Sequence, residues 1–386
     1  MIPREKFRQD KPPYDVDDEK YKRYKTENNA FNVVSREDTG ETKPFGFLEK
    51  LRENQAEIIQ EDIEGYSRLD YALQKGAQAV NLLIGSYGQE AENSQFLKWN
   101  PLNIPDYMRE SRIDLSSGEL THHVKEAAMR YDADLVGCTE LDKRWVFSEN
   151  IYKPIVFKEV DKPEETDDEL IIPNNFTHAI VMGIAMSKED TLRSPMVAAA
   201  TTTDWGYSRM GIASVSLAEY IRALGYQAIP CMNDTALSIP LAIDAGLGQL
   251  GRNGLLITPE YGPNQRLCKV LTDMPLEQDH PIDFGVTEFC NQCLRCVEEC
   301  PAEAISRGDM TREGVCSCNN PGVEKWPVDT LECLSFWQEN GIWCSNCQAA
   351  CPFTRGFEGT DCVECQSCVP DCPLQKVTYL REKYLE

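Results

Sequence analysis

Cys290-Asn-Gln-Cys293-Leu-Arg-Cys296-Val-Glu-Glu-Cys300-Pro301 is the stretch that decides how the C-terminal part of this chain folds. Three cysteines two residues apart wrap one [4Fe–4S] cube, and the fourth, turned away before the proline, crosses to a second cube. The second cube needs ligands of its own, and they follow as Cys344-Ser-Asn-Cys347-Gln-Ala-Ala-Cys351-Pro352 with Cys333 upstream. The spacing predicts cluster A on Cys290, Cys293, Cys296 and Cys351, and cluster B on Cys300, Cys333, Cys344 and Cys347. Zinc also takes Cys-x-x-Cys pairs, but it closes on four ligands and has no use for one directed elsewhere.

A third run of the same spacing, Cys362-Val-Glu-Cys365-Gln-Ser-Cys368-Val-Pro-Asp-Cys372-Pro373, lies near the end of the sequence. Two readings stand. It holds a third [4Fe–4S] cube, closed by Cys372 or by Cys316 or Cys318, or it is an unloaded or differently metallated tail. Fourteen of the 17 cysteines lie between Cys290 and Cys372. A disulfide framework spreads its cysteines over the domain it staples, so this bunching reads as metal. Cys138, Cys231 and Cys268 read as buried small hydrophobes.

The chain has 386 residues, 41% hydrophobic and 26% charged, with a formal net charge of −24. That is an ordinary globular composition, with an acidic surface ill suited to a nucleic-acid backbone. No apolar run reaches the roughly 18–20 residues of a membrane span. The first residues show neither a twin-arginine leader nor a secretory apolar segment. The expectation is a cytoplasmic protein, or the mature form of an exported one.

Residues 1–45 read as an extended polar arm, ordered where Tyr14, Tyr21, Phe31 or Phe45 find a groove. Helices are predicted over Phe47–Ile59, Tyr66–Ile84 and Glu119–Tyr131. The second should bury Leu69, Leu73, Ala77, Val80 and Ile84, which recur at helical spacing. Ala133–Cys138 reads as a short buried strand and His178–Met186 as the central strand. Ser187–Ala199 reads as a helix, and Ser208–Leu224 as an amphipathic one stopped by Gly225. A strand at Tyr226–Pro230, a helix near Ile239–Ala245, and strands near Gly254–Thr258 and Leu267–Thr272 complete the pattern. Helices and strands without strict alternation predict an α+β class.

A simple electron carrier would need a far shorter chain, so the upstream domain should carry chemistry. The four histidines show no metal-ligand spacing. Gly246-Leu-Gly248-Gln-Leu-Gly251-Arg252-Asn-Gly254 has dinucleotide-like glycines, but no strand leads into it. The order Trp205-Gly-Tyr207-Ser-Arg-Met, Gly225-Tyr-Gln-Ala-Ile-Pro, Ala245-Gly-Leu-Gly-Gln-Leu-Gly-Arg252-Asn-Gly, Gly262-Pro-Asn-Gln-Arg266, Val270-Leu-Thr-Asp-Met-Pro-Leu276 and Pro281-Ile-Asp-Phe-Gly, then the cysteine run, resembles the corrinoid- and iron–sulfur-dependent reductive dehalogenases. The likeness covers roughly residues 175–355. The third cysteine run and the absent twin-arginine leader depart from the family pattern.

The resemblance implies a nitroreductase-like corrinoid-binding domain over 46–285, a bacterial-ferredoxin-like domain with two [4Fe–4S] clusters over 286–355, and a cysteine-rich tail over 356–386. It implies a base-off corrinoid, an organohalide substrate and a low-potential donor such as a ferredoxin, a flavodoxin or a quinol-linked protein. Tyr207 matches the family's proton donor, Arg252 the cation beside it, and Asn233 a third polar residue. Arg209, Gly246, Gly248, Leu250 and Gly251 are the implied corrinoid contacts, the glycines letting the backbone approach a flat ring. Each has a plainer reading: Tyr207 caps its helix, Arg252 pairs with Asp244, Asn233 makes a turn, and the glycines serve their own loop. Trp99, Trp205 and Trp326 are candidates for pocket walls or core. Two other functions compete: a tRNA-modifying enzyme like epoxyqueuosine reductase, which the acidic surface disfavours, and a non-catalytic ferredoxin-type carrier.

Overall fold

A computed structural model describes residues 4–39, 46–61, 63–84, 99, 101–102 and 104–355. The cysteine run Cys362–Cys372 and Phe45 lie outside the described residues. The helices used below are α1 (Ala30–Thr39), α2 (Gly46–Gln60), α3 (Arg68–Ile84), α4 (Ser117–Arg130), α5 (Val197–Ala223), α6 (Ser238–Asp244) and α7 (Thr330–Asn340). The strands are β1 (Leu135–Glu140), β2 (His178–Ala185), β3 (Ala228–Cys231) and β4 (Gln265–Thr272). They form one antiparallel sheet in the order β1-β2-β4-β3.

β2 is buried on both faces, which is why its sequence reads as a continuous apolar run. Alternate side chains feed two separate cores. Ile180, Met182 and Ile184 meet Leu120 and Val124 of α4 and Met210, Leu217 and Ile221 of α5. Ala179 and Val181 meet Trp145, Leu241 and Leu271 on the other face. Cys138, Cys231 and Cys268 are buried in these two cores.

Several elements differ from their sequence expectation. Ser187–Ala199 is no single helix: a short one over Lys188–Thr191 ends before Pro195, and α5 starts at Val197. α5 therefore runs 27 residues, beginning well before the predicted Ser208. The predicted strand near Gly254–Thr258 shrinks to Leu256–Ile257, paired with Gln249–Leu250.

α3 forms as expected but presents another stripe to the core. Leu69 and Leu73 are 82% and 67% exposed, while Tyr71, Gln74 and Asn81 are buried. The reason is polar. Gln74 donates to Asp204 of α5, and Ser208 of α5 donates through its hydroxyl to the Ala77 carbonyl while accepting from the Asn81 amide. Apolar spacing located the helix, and hydrogen bonding set its rotation.

The N-terminal arm is partly helical, with α1 at its end. Tyr14 and Tyr21 pack edge-on against Trp145, and Tyr14 donates to Asp244 at 2.6 Å. Trp99 also belongs to this core. The cysteine-rich part, from Val286 to Arg355, is built of short helices around Ile257, Phe284, Phe289 and Trp326. α7 is capped by the Asp329 carboxylate at its start and by left-handed Gly341 at its end, and Leu334 packs with Phe47 and Leu51 of α2. Among the described residues, no helix is long and apolar enough to cross a membrane.

α5 stops where the sequence said it would. Gly225 follows its last residues at φ +85°, and a Cβ there would sit 2.3 Å from the Ser111 carbonyl oxygen. Left-handed strain and this clash together should make Gly225→Ala cost about 2 kcal/mol or more. Denaturant unfolding measures it, and an unchanged midpoint would contradict this account of the helix end.

Candidate active site

Three elements end at one edge of the sheet. Tyr207 stands half-buried in the middle of α5, Asn233 sits in the turn after β3, and Arg266 is the second residue of β4, level with Ile184. The Asn233 amide donates to the Tyr207 hydroxyl at 3.0 Å. The Arg266 guanidinium lies over the Tyr207 ring, 5.2 Å from its centre. Gly206 makes the room: a Cβ there would meet Arg266 Cγ at 3.0 Å.

The turn carrying Asn233 is held from beneath. Lys269 is fully buried in β4 and donates through Nζ to the Met232 carbonyl at 2.5 Å and to the Ser238 hydroxyl at 3.1 Å. Burial lowers its pKa from the usual lysine range, while Cys231 and Asp234 oppose that shift. The Asp234 carboxylate accepts from the Met232 amide and the Thr235 hydroxyl, which closes the turn. Asn264, two residues before Arg266, ties the start of β4 to the segment after β2, donating to the Met186 carbonyl and accepting from the Thr191 hydroxyl.

One helical turn before Tyr207, Asp204 is only 3% exposed. Its Oδ2 accepts from Gln74 Nε2 at 2.5 Å and from Trp343 Nε1 at 3.0 Å. Burial pushes its pKa up to about 6, against the pull of those two donors.

Tyr207 and Asn233 are thus brought together, but Arg252 is not the cation beside them. Arg252 is buried at the cysteine-rich part. It donates through Nε to the Cys290 carbonyl and through Nη1 to the carbonyls of Ser306 and Gly308, each at 2.9 Å. Its guanidinium stacks 4.7 Å over Trp326, a core residue rather than a pocket wall. Nor does Arg252 pair with Asp244, which is held by Tyr14 and Trp145. The cation over Tyr207 is Arg266, which sequence reasoning quoted within Gly262-Pro-Asn-Gln-Arg266 and gave no role.

The glycine-rich turn is also used differently. At Gly246 (φ +69°) a Cβ would lie 2.2 Å from the His280 carbonyl oxygen, and at Gly248 2.1 Å from that of Ile257. At Gly251 it would meet the Ile257 side chain at 2.8 Å. Leu250 is paired with Leu256 in the small hairpin. The chain's own backbone and side chains come up to these positions where a side chain would stand, and that close approach accounts for the glycines. Arg209 is occupied as well, by Asp132, Asp134 and the Ala185 carbonyl. Trp205 is half-exposed on α5.

The cysteines fall into two neighbouring sets. Cys290, Cys293, Cys296 and Cys351 line one pocket with Arg252, Asn253 and Ile257. Burial, then the neighbouring thiols, pushes Cys296 up to about 12; Cys290 is raised to about 11 mainly by burial. In the second set, burial pushes Cys333 up to about 12, with Cys344 and Cys300 as its thiol neighbours. Cys347 is raised well above the usual thiol range by burial and by Cys333, Cys344, Cys296 and Cys300, which marks where the sets touch. Among the described residues, no three His, Cys, Asp or Glu side chains close on a point fit for a single metal ion. A cube takes each thiolate on a different iron, so its ligands stand wider apart than those of a single ion. Cys316 lies beside Thr330 at 3.6 Å, outside both sets.

No family model matches the chain. Over 349 residues it is 41% identical to the tetrachloroethene reductive dehalogenase of Sulfurospirillum multivorans, covering 82% of this chain and 69% of that protein. It is 34% identical over 347 residues to the tetrachloroethene reductive dehalogenase of Desulfitobacterium hafniense, covering 75% of this chain and 63% of that one. A reductive dehalogenase whose solved structure suggests a mechanism for B12-dependent dehalogenation aligns over 99% of this chain and 49% of its own, with a TM-score of 0.68 at 22% identity. That likeness shows a shared fold. The chain spans roughly two thirds of these curated relatives and about half of the solved one.

The two arginines separate by experiment. Arg252→Met strips a charge-assisted donor from the carbonyls of Cys290, Ser306 and Gly308 and should lower the iron retained on purification by about half, the share of one thiol set. Arg266→Met should retain iron at the wild-type level. Equal iron in both variants would contradict the placement of Arg252.

Proposed function

Because the chain belongs to the reductive dehalogenase family, we propose that it removes a halogen from an organohalide, using electrons fed through two [4Fe–4S] clusters and a proton from Tyr207. The observation that carries this reading is the convergence of Asn233 and Arg266 on the Tyr207 phenol, next to a packed cysteine module. The names of the relatives make chlorinated ethenes the first substrates to try.

A bound corrinoid supplies a cobalt centre, reducible by single electrons, at which the carbon–halogen bond is cleaved. The fit of the site to it is favourable in one respect: the four histidines lie in elements other than those that bring Tyr207, Asn233 and Arg266 together. His178 opens β2 at the end opposite Ala185, His280 packs under Gly246, and His122 and His123 lie in the first half of α4. That suits a base-off form. Of the contacts drawn from the resemblance, Arg209 and the glycine-rich turn are engaged elsewhere, so the residues meeting a corrinoid are to be sought around Tyr207, Trp205 and Arg266.

The eight thiols suit two cubes on chemical grounds. Buried neutral thiols give up protons readily only to a cationic iron–sulfur core, and bound clusters serve as one-electron carriers. Cys290, Cys293, Cys296 and Cys351 would hold cluster A, and Cys300, Cys333, Cys344 and Cys347 cluster B. Arg252 and Asn253 hold the loops of both sets, through the carbonyls of Cys290 and Cys347. The domain reading, nitroreductase-like followed by ferredoxin-like, belongs to this proposal, as does a low-potential protein as electron donor. Whether Cys362–Cys372 binds a third cube is read from iron content, about eight atoms per chain against about twelve.

Tyr207 acts as the acid. The Asn233 amide donates to its oxygen, which fixes that oxygen as an acceptor and orients the phenol. When the proton leaves for the substrate carbon, negative charge develops on the ring, and Arg266 over the ring face is placed to stabilise it. Gly206 keeps Arg266 at that distance. Lys269 and Asp234 keep the Asn233 turn in register.

The test is reconstitution with iron, sulfide and corrinoid, followed by metal analysis and chloride release from tetrachloroethene with a low-potential reductant. Tyr207→Phe should lose turnover by at least about 100-fold with iron and cobalt unchanged. Arg266→Met should lower kcat by about 100-fold or more, also with metals unchanged. A fully active Tyr207→Phe enzyme ends the proton-donor role; iron without cobalt would favour a plain electron carrier.

A further inference from the structure

Beside its apolar contacts with Val197 and Ala200, the cysteine module reaches α5 through a buried carboxylate, Asp204. The loop after α7 runs Gly341-Ile-Trp343-Cys344-Ser345, and Trp343 directly precedes a ligand of the second thiol set. Its indole donates to Asp204 Oδ2 at 3.0 Å. The surrounding loop is anchored to the start of the same helix. The Ser345 amide donates to the Ser194 hydroxyl at 2.8 Å, and the Asn340 amide group donates to the Pro195 carbonyl at 3.0 Å. The first thiol set makes its contacts elsewhere, with the Arg252 hairpin. The second set is therefore the one stitched to α5.

Asp204 has no ion-pair partner among the described residues within 4 Å; its two partners are the neutral donors Gln74 and Trp343. A charge held by neutral dipoles in a low-dielectric interior is poorly screened and acts over many ångströms. Burying it there costs stability, which is an unusual choice for a position whose packing a neutral amide would satisfy. Lys75 and Arg266 attract that charge and offset part of it; what is left, one hydrogen bond from the residue before Cys344, disfavours adding an electron to a cluster held there. Resting on the reading of two clusters above, we propose that Asp204 is a positioning residue that sets the potential of cluster B: its charge, delivered through Trp343, makes that cluster the stronger reductant of the pair.

The consequence is a downhill last step. Electrons leave cluster B with greater reducing power than cluster A gives them, and the same carboxylate attracts Lys75 and Arg266, both of which pull the Asp204 pKa down. Asp204 neither touches the substrate nor donates a proton in this scheme. One charge serves both the electron-supply side and the proton-supply side of α5.

The experiment is an EPR-monitored redox titration of the reconstituted full-length protein at pH 8, where Asp204 is ionised. Asp204→Asn removes the charge and keeps the shape. The potential of one cluster should rise clearly while the other stays within a small fraction of that shift, and kcat should fall with KM unchanged. Asp204→Glu keeps the charge and should keep the wild-type gap, even if it lowers thermal stability. A purely structural role predicts the reverse: both variants lose stability, and neither moves one potential relative to the other. Unchanged potentials in a cluster-loaded Asp204→Asn protein overturn the inference while leaving the two-cluster reading intact. Failure to find two four-iron signals in the wild type would sink that reading itself.

Discussion

The packing of α5 is the constraint on which the other parts depend. It is covered on several sides at once: by the sheet through Met210, Leu217 and Ile221, by α3 through Asp204 and Ser208, and by the cysteine module through Val197, Ala200 and Asp204. A helix so enclosed cannot carry a single apolar stripe. Its buried positions include Ala199, Ala200, Gly206, Gly211, Ala213 and Ser214, small residues that let neighbours approach closely. Tyr207 sits among them half-buried, with its hydroxyl met by Asn233 and its ring by Arg266. Its position is fixed by the layers that enclose the helix.

The thiol module imposes a second constraint. Cys351 is buried and Cys347 half-buried, and their neighbours are other thiols, so ionising any one of them alone is costly. A cationic cluster core removes that cost by replacing protons, and metal binding then becomes folding energy for Val286–Arg355. Arg252 completes the arrangement. Its donors satisfy three carbonyls that tight cluster loops leave without partners. The positive charge also offsets part of the negative charge of a thiolate-bound cube.

What the sequence revealed follows how local each signal is. The cysteine spacing is a property of a few consecutive residues, and the grouping into two sets was legible from it. The same is true of β2, read from an unbroken apolar run, and of the end of α5, read from Gly225. Rotation of α3 was not legible, because Gln74 and Asn81 look like solvent residues until Asp204 and Ser208 are known to lie opposite. The long start of α5 was hidden by Pro195, which breaks one helix and precedes another. Tyr207 and Asn233 could be named, but their meeting depends on β3 and β4 being neighbours, a fact of topology.

Arg252 and Arg266 show where such reading stops. Both belong to ordered motifs that contain a glycine and an asparagine, Gly251-Arg252-Asn253 and Gly262-Pro-Asn264-Gln-Arg266, and each could reach an acidic or aromatic partner. The difference lies in register. Ile184 pairs with Arg266 and Cys231 with Lys269, so the first residues of β4 arrive beside the turn after β3. Arg252 lies in the two-stranded hairpin outside that sheet, where the nearest unsatisfied groups are cluster-loop carbonyls. Two cations of equal chemistry are thereby sent to different partners, one to carbonyls of the cysteine-rich part and one to the face of the Tyr207 ring. Strand pairing makes that division, and no property of either arginine does.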